Sequence, residues 1–321
     1  MRILANDGID STAVEALEKA GFEVQTEKIE QEDLESRINE FDVLLVRSAT
    51  KVRQNLIDAG SKLKIIGRGG VGMDNIDVQY ARDKGLKVIN TPAASSVSVA
   101  ELVFAHLFAI CRFIPQNNRA MPQNGMSQFK DLKKASSKGT ELRGKTIGII
   151  GFGRIGQETA RIAIGCGMKV LACDAFMDKA EIKPLMHSDY AAEMGTITIN
   201  TISKEELLKN SDFISLHVPA QDKPVIGKEE LALMKKGAGI VNCARGGVVD
   251  EAALVSALQS GQIAYAGVDV YENEPPTNDA ILKQSNTSLT PHIGAATSEA
   301  QIRVGMELVS QIIETLGTQN A

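Results

Sequence analysis

The chain has 321 residues, 43% of them apolar and 23% charged, which suffices for two hydrophobic cores of ordinary domain size and excludes a disordered chain. A formal net charge of -5 and a pI near 5.6 exclude a general attraction to nucleic acid or anionic lipid, so neither is an expected partner and any anion site is a local pocket. The four cysteines, Cys111, Cys166, Cys173 and Cys243, form no CxxC pair and no His-interleaved ligand spacing, so no disulfide framework and no metal are expected.

The chain opens on Met1-Arg-Ile-Leu-Ala and runs at once into charged sequence, without the apolar core of a signal peptide or any uninterrupted span of membrane length, which predicts a cytoplasmic protein. Short apolar runs at 2–5, 43–46, 63–66 and 87–89 alternate with amphipathic stretches such as 11–20. That is the order of a parallel α/β sheet. In 98–114, Val99, Leu102, Val103, Phe104, Leu107, Phe108 and Ile110 leave almost no polar face, predicting a helix buried on all sides, of a kind suited to crossing between domains. Residues 115–144 have little apolar periodicity and collect Pro, Gln, Asn, Ser and Lys, which predicts a long loop or arm.

A second α/β series has strand candidates at 146–150, 169–173, 213–217, 238–243, 266–270 and 288–290, a doubly wound pattern. Beyond Ala295 one amphipathic helix carries Ile302, Val304, Met306, Leu308, Val309, Ile312, Ile313 and Leu316, and Gly317 stops it. Neither an internal repeat nor a low-complexity tract is present.

GxGxxG occurs twice, at Gly67-Arg-Gly-Gly-Val-Gly72 and Gly151-Phe-Gly-Arg-Ile-Gly156, so the pattern alone decides nothing in a chain with 28 glycines. The second copy follows a clean strand, opens a helix, and meets Asp174 at the end of the next strand. Gly151, Gly153 and Gly156 then let the backbone approach a pyrophosphate whose charge sits at the helix start, with Asp174 on the ribose hydroxyls. Ala175 and Phe176 follow Asp174 and offer no cation for a 2′-phosphate, which favours NAD over NADP. The first copy meets Asn90 where the acid is due, so its glycines are expected to keep a substrate loop low.

Ligands in open α/β sheets bind beyond the carboxyl ends of the strands. There the second series delivers His217-Val-Pro219, Cys243-Ala-Arg245-Gly-Gly247, Asp269-Val-Tyr-Glu-Asn-Glu274-Pro-Pro276 and Pro291-His292-Ile-Gly294. Oxidising a secondary alcohol needs a base for the hydroxyl proton and a cation for the neighbouring carboxylate. His292 is the candidate base, Glu274 its orienting partner, and Arg245 the planar fork for the carboxylate. Among the other histidines, His106 is expected to be packed among hydrophobic neighbours on every side, His187 to be solvated, and His217 to act through its backbone. Arg47 and Arg68 stand at carboxyl ends of first-series strands and are candidates for a distal phosphate, with Ser48 and Gly70 beside them as substrate contacts. Lys51, Arg53, Lys130, Lys133 and Lys134 are further cations for that role.

The runs Val46-Arg-Ser-Ala-Thr-Lys-Val52, Gly67 to Asp77, Asn90-Thr-Pro92, Gly139-Thr-Glu-Leu-Arg-Gly-Lys145, the turn at Gly151, Val241-Asn-Cys-Ala-Arg-Gly-Gly247 and Pro291-His-Ile-Gly-Ala-Ala-Thr-Ser-Glu-Ala-Gln301 together resemble the D-isomer-specific 2-hydroxyacid dehydrogenases over nearly the whole chain. The resemblance implies two doubly wound parallel-sheet domains, a Rossmann NAD domain (99–294) inserted into a flavodoxin-like substrate domain (1–98 and 295–321). It also implies a homodimer and a small 2-hydroxy or 2-keto acid substrate, here one bearing a phosphate. Under it Arg245, His292 and Glu274 keep the roles given above, and Val71, Arg154, Ile155, Asp174, Val218, Cys243 and Asp269 line the cofactor. His217, Pro219, Ala244, Gly294 and Ala295 join that lining.

Three departures from the family pattern stand out: Val71 replaces the usual Thr, the arm 121–139 lacks the usual Trp-Glu-Arg and is longer, and 185–202 is an insert without an assigned role. The carboxy-terminal regulatory domain of longer relatives, and feedback inhibition through it, are not expected. Glyoxylate or hydroxypyruvate reductase and D-lactate dehydrogenase remain open. Formate dehydrogenase is disfavoured because that branch carries Gln at position 274. A non-enzymatic NAD-sensing corepressor of the same fold usually has a long disordered tail, which this sequence does not carry.

Overall fold

Residues 1–184 and 195–318 are described by the structure, a computed structural model. By its internal contacts the chain divides into one unit of Met1–Ser98 with Ala295–Ala321 and another of Val99–Gly294.

In the discontinuous unit, runs of aliphatic residues form β1 (Arg2–Ala5), β2 (Glu23–Gln25), β3 (Val43–Val46), β4 (Ile65–Arg68) and β5 (Lys87–Asn90), all parallel in the order β2-β1-β3-β4-β5. This is the flavodoxin-like order. Helices α1 (Ser11–Lys19), α2 (Leu34–Arg37), α3 (Gln54–Ala59) and α4 (Val78–Asp83) connect the strands. Side chains alternate along each strand, so Leu4, Leu44 and Ile66 meet Leu34, Leu56 and Ala81 on one face. Ile3, Val43, Leu45 and Ile65 meet Leu17, Leu308 and Ile312 on the other. The C-terminal helix, Ser298–Leu316, is capped by Thr297 and ends at Gly317 with φ 70°. It lies so close to α1 that a Cβ at Gly305 would stand 2.6 Å from that of Ala13. Val304, Leu308, Val309 and Ile312 form its buried face, whereas Ile302 and Met306 are exposed. Strand β2 was not expected, because a three-residue, half-exposed edge strand carries little apolar signal.

The second unit begins inside α5 (Ser96–Cys111), whose Val103, Phe104, Leu107 and Ile110 pack on the sheet with Ile147, Ile149 and Val241. The helix is not buried on all sides: Glu101, Ala105 and Phe108 form an exposed stripe, Phe108 at 47%. Phe113 adopts φ 56° and breaks the helix. The expected loop that follows is helical instead, α6 (Ile114–Asn124) and α7 (Phe129–Ala135), neither with a buried residue. Periodicity failed there because neither helix turns a face to a core, and Pro115 sits in the first turn, where a missing N–H costs nothing.

The main sheet comprises β6 (Thr146–Ile150), β7 (Lys169–Cys173), β10 (Phe213–Leu216), β11 (Ala238–Asn242), β12 (Ile263–Val268) and β13 (Thr287–Leu289), in the order β13-β12-β11-β10-β6-β7 and all parallel. Helices α8 (Arg154–Gly165), α9 (Lys204–Asn210), α10 (Lys228–Leu233) and α11 (Glu251–Ser260) cover it. A small antiparallel pair, β8 (Lys179–Ile182) with β9 (Ile197–Asn200), precedes a lone bridge from Thr201 to Ala172. That bridge stands where a Rossmann sheet has its third strand, reduced to one residue. The expected insert thus contains β9. Its residues 185–194, including His187, lie outside the described residues.

Candidate active site

The order of the main sheet reverses between β6 and β10, the switch point at which doubly wound folds open a crevice. Three glycines shape the turn after β6, each for a different reason. Gly151 has φ 91° and a Cβ there would stand 2.6 Å from His217 O, so only glycine fits beside β10. At Gly156 a Cβ would stand 2.2 Å from Gly151 O, so the helix presses on the strand end. Gly153, the N-cap of α8, faces open space. Its bare backbone, the exposed Arg154 and half-buried Ile155 of the first turn, and that turn's N–H groups fit a pyrophosphate. Asp174 Oδ2 accepts from Phe152 N at 2.6 Å and Oδ1 from Phe176 N at 2.8 Å, which fixes the carboxylate beside the turn. The residues present fit NAD.

On the opposite side of the switch point, His217 Nε2 meets Ser215 Oγ at 2.9 Å and Thr159 Oγ1 at 3.2 Å. Its Nδ1 is sealed from solvent and has no hydrogen-bond partner. The residue is part-exposed, but the ring is enclosed, and burial pushes its pKa down to about 3. A ring neutral at every ordinary pH has no acid–base duty, so only its backbone and Val218, 3.0 Å from a Cβ at Gly151, border the turn. Pro219 is exposed.

Arg245 follows β11. Asn242 binds the turn at both ends, its Nδ2 donating to Arg245 O at 2.9 Å and its Oδ1 accepting from Ala244 N at 3.1 Å. Gly246 packs on the next loop so tightly that a Cβ would stand 1.7 Å from Tyr271 O. That loop carries Glu274, whose Oε1 accepts from Tyr271 N at 3.2 Å and whose Oε2 stands 2.7 Å from His292 Nδ1. Both are accessible, at 37% for His292 and 38% for Glu274. A carboxylate only accepts, so Nδ1 carries the proton and Nε2 is left for chemistry.

His292 itself adopts φ 55°, an uncommon conformation for a residue with a side chain. Buried Asp269 holds it there: Asp269 O accepts from His292 N at 2.8 Å, Oδ1 from Ile293 N at 2.8 Å and Oδ2 from Gly294 N at 2.9 Å. Burial, with Asp269 adding, raises Cys243 well above the ordinary thiol value, so it stays a protonated wall residue. Burial also pushes Tyr271 up to about 12.

Other predicted residues lie in the discontinuous unit. Val46 pairs with Arg68, so Arg47 and Arg68 stand at adjacent strand ends. Gly70 has φ 143°, and a Cβ there would stand 1.8 Å from Arg68 Nη1. Asp7 Oδ2 accepts from Arg47 N at 2.6 Å, while Ser48 is exposed. Asn90, found in place of an acid, donates to Val71 O at 2.7 Å and so pins the first glycine turn. Ala295 O accepts from Gln301 at 2.6 Å. Arg53 is tied to Asp77 at 2.8 Å, while Lys51 is exposed. In the other unit, Lys130, Lys133 and Lys134 lie on α7, and all three are exposed. His106 is buried, as expected, but not among hydrocarbon alone: Ser288 and Thr290 meet its two ring nitrogens. The sequence reading gave no role to Asn242, although it lies in the run 241–247, nor to Thr290, and did not foresee the partners of His106, since only the fold decides which groups these side chains meet.

The family model for the D-isomer specific 2-hydroxyacid dehydrogenase, NAD binding domain, matches residues 104–294. The chain is 44% identical to a hydroxypyruvate reductase of Thermotoga maritima, covering 98% of both chains. It is 42% identical to a D-3-phosphoglycerate dehydrogenase of Methanocaldococcus jannaschii, covering 98% of this chain but 57% of that protein's length. Among solved structures, an NAD+-bound 3-phosphoglycerate dehydrogenase of Entamoeba histolytica superposes with a TM-score of 0.77 at 31% identity, covering 100% of this chain and 97% of that one. Among the described residues no single helix is long and apolar enough to cross a membrane.

Proposed function

Since this chain belongs to the D-isomer specific 2-hydroxyacid dehydrogenases, NAD-dependent oxidoreductases of small 2-hydroxy and 2-keto acids, we propose that it interconverts a D-2-hydroxy acid and its keto acid through His292, Glu274 and Arg245. The observation carrying this reading is the 2.7 Å contact between His292 Nδ1 and Glu274 Oε2, which leaves Nε2 as the exchanging nitrogen. NAD, when bound, supplies the hydride acceptor for the hydrogen on C2. His292 Nε2 takes the hydroxyl proton in oxidation and returns it in reduction, and Glu274 stabilises the imidazolium in between. Arg245 holds the substrate carboxylate in a two-pronged grip. The 99–294 unit is the NAD domain in this reading, with the glycine turn on the pyrophosphate, Asp174 on the ribose, and Val218, Cys243, Ala244, Asp269 and Gly294 toward the nicotinamide.

For the substrate we take 3-phosphoglycerate, oxidised at C2 in L-serine biosynthesis. Support comes from relatives named D-3-phosphoglycerate dehydrogenase and from the adjacent cations Arg47 and Arg68, beyond what a plain hydroxy acid needs. Hydroxypyruvate reduction is the second reading, favoured by the relative at 44% identity that this chain spans almost completely. The homodimer is supported by a run of exposed apolar side chains, Phe108, Ile114, Met121, Met126 and Phe129, on one segment.

Assays of 3-phosphoglycerate against glycerate, and of hydroxypyruvate against glyoxylate, separate the two substrates. Under the first reading Arg47→Ala and Arg68→Ala each raise the apparent KM for 3-phosphoglycerate and hardly affect glycerate. Equal use of both acids by the wild type would hand the assignment to an unphosphorylated substrate. His292→Ala should lose about two to four orders of magnitude in turnover with NADH binding intact; near wild-type turnover would remove it from the chemistry.

A further inference from the structure

Asp269 clamps the loop that carries His292, and Asp269 is itself aimed by a buried chain of side chains. Thr290 Oγ1 stands 2.6 Å from Asp269 Oδ1, His106 Nε2 stands 3.1 Å from Thr290 Oγ1, and Ser288 Oγ stands 2.9 Å from His106 Nδ1. Chemistry fixes the direction of every proton. A hydroxyl has one hydrogen, and a carboxylate oxygen only accepts, so Thr290 donates to Asp269. Its oxygen then meets His106 Nε2 as an acceptor, so Nε2 carries the hydrogen. The neutral ring's bare Nδ1 accepts from Ser288. Burial, outweighing the attraction of Asp269, lowers the His106 pKa and favours this neutral form.

The backbone is built around the ring. A Cβ at Gly267 of β12 would stand 2.7 Å from His106 Cβ, so glycine lets α5 bring the imidazole down to the strand ends. Tyr271 OH donates to Thr290 O at 3.1 Å and steadies the same residue from the Glu274 loop.

We propose that His106 is a positioning residue. As the Nε2–H tautomer it turns the Thr290 hydroxyl onto Asp269 Oδ1, fixing the carboxylate that holds Ile293 N and Gly294 N and so, with the Asp269 carbonyl on His292 N, keeps His292 in its left-handed conformation beside Glu274. The proposal rests on the reading of His292 as the acid/base. Without the N–H the Thr290 hydroxyl loses its reason to face Asp269, the carboxylate loses one of its three donors, and His292 drifts from its working place. A displacement of about 1 Å at a catalytic group lowers turnover by roughly a hundredfold.

The test uses His106→Phe, His106→Gln, His106→Asn, Thr290→Val and His292→Ala, assayed with NADH against both hydroxypyruvate and 3-phosphohydroxypyruvate. His106→Phe keeps a flat buried ring without donors and should lower kcat about ten- to hundredfold with KM changed less than about threefold. His106→Gln places an amide N–H near the Nε2 position and should recover most of that loss. His106→Asn reaches only the Nδ1 position and should recover little. Thr290→Val, nearly isosteric, should match His106→Phe, and the double variant should be no worse than either, since both cut one chain. A residue that merely filled the core would favour Phe and treat Gln and Asn alike.

Should His292→Ala keep wild-type turnover, the acid/base reading falls and takes this proposal with it. If His292→Ala is inactive while Thr290→Val keeps its kcat, or Gln recovers no more than Asn, the acid/base reading stands and the proposal is overturned. Thr290→Val decides the matter even where a His106 variant fails to fold.

Discussion

Acidification should destabilise the NAD unit through His217, and the size follows from its enclosure. Its imidazole has an ordinary value of 6.5, and the buried ring is pushed down to about 3. Because folding depresses the value, this contribution is complete above 6.5 and is lost as the pH falls toward about 3. Between about pH 7 and about pH 5 the unfolded chain takes up a proton that the folded chain refuses. That multiplies the unfolded population roughly 25-fold, about 2 kcal/mol. The figure hardly depends on where below about pH 4 the folded value lies. His106, also lowered by burial, adds loss of the same sign. Urea unfolding followed by circular dichroism at both pH values, in the wild type and in His217→Gln, isolates the effect, since Gln keeps a polar group near Ser215 and Thr159 without titrating. The variant should lose about 2 kcal/mol less than the wild type over that interval. Equal losses in the two proteins would mean that the His217 ring is hydrated, and the reasoning from its enclosure would be wrong.

Glu274→Gln keeps an acceptor for His292 Nδ1 but removes the charge that would stabilise the imidazolium formed during turnover, so kcat should fall by about tenfold or more. An unchanged kcat counts against the pairing. Asp174→Ala removes the acceptor for Phe152 N and Phe176 N together with the proposed ribose partner. NADH affinity, read by fluorescence titration, should fall by roughly ten- to a hundredfold, and discrimination against NADPH should narrow; unchanged affinity would mean the ribose lies elsewhere. Gly246→Ala puts a Cβ 1.7 Å from Tyr271 O, a backbone atom that cannot swing aside. The Arg245 turn must part from the Glu274 loop, with kcat/KM down roughly a hundredfold. Wild-type activity would show that the two loops do not depend on each other.

Local pattern in the sequence determined most of the strands, the terminal helix with its Gly317 stop, and the strand–turn–helix form around Gly151. Those features depend on residues near one another in the chain: apolar spacing, a strand before the glycines, an acid at the next strand end. Parallel strands also deliver their last residues to one edge, so Arg245, Glu274 and His292 could be gathered from strand order alone. Elements that bury little left no trace: β2 at its edge, and α6 and α7 without a core-facing side. Tertiary structure alone decided what each buried polar group does. His106 meets Ser288 across 182 residues of chain and Asp269 meets Gly294 across 25, and no local signature marks either pair. An imidazole among apolar residues reads as packing until the fold brings two hydroxyls to its nitrogens. Asn90 reads as a missing acid until the fold sets it under the Val71 carbonyl. Burial makes such groups find partners, and which partners they find is a property of the folded chain.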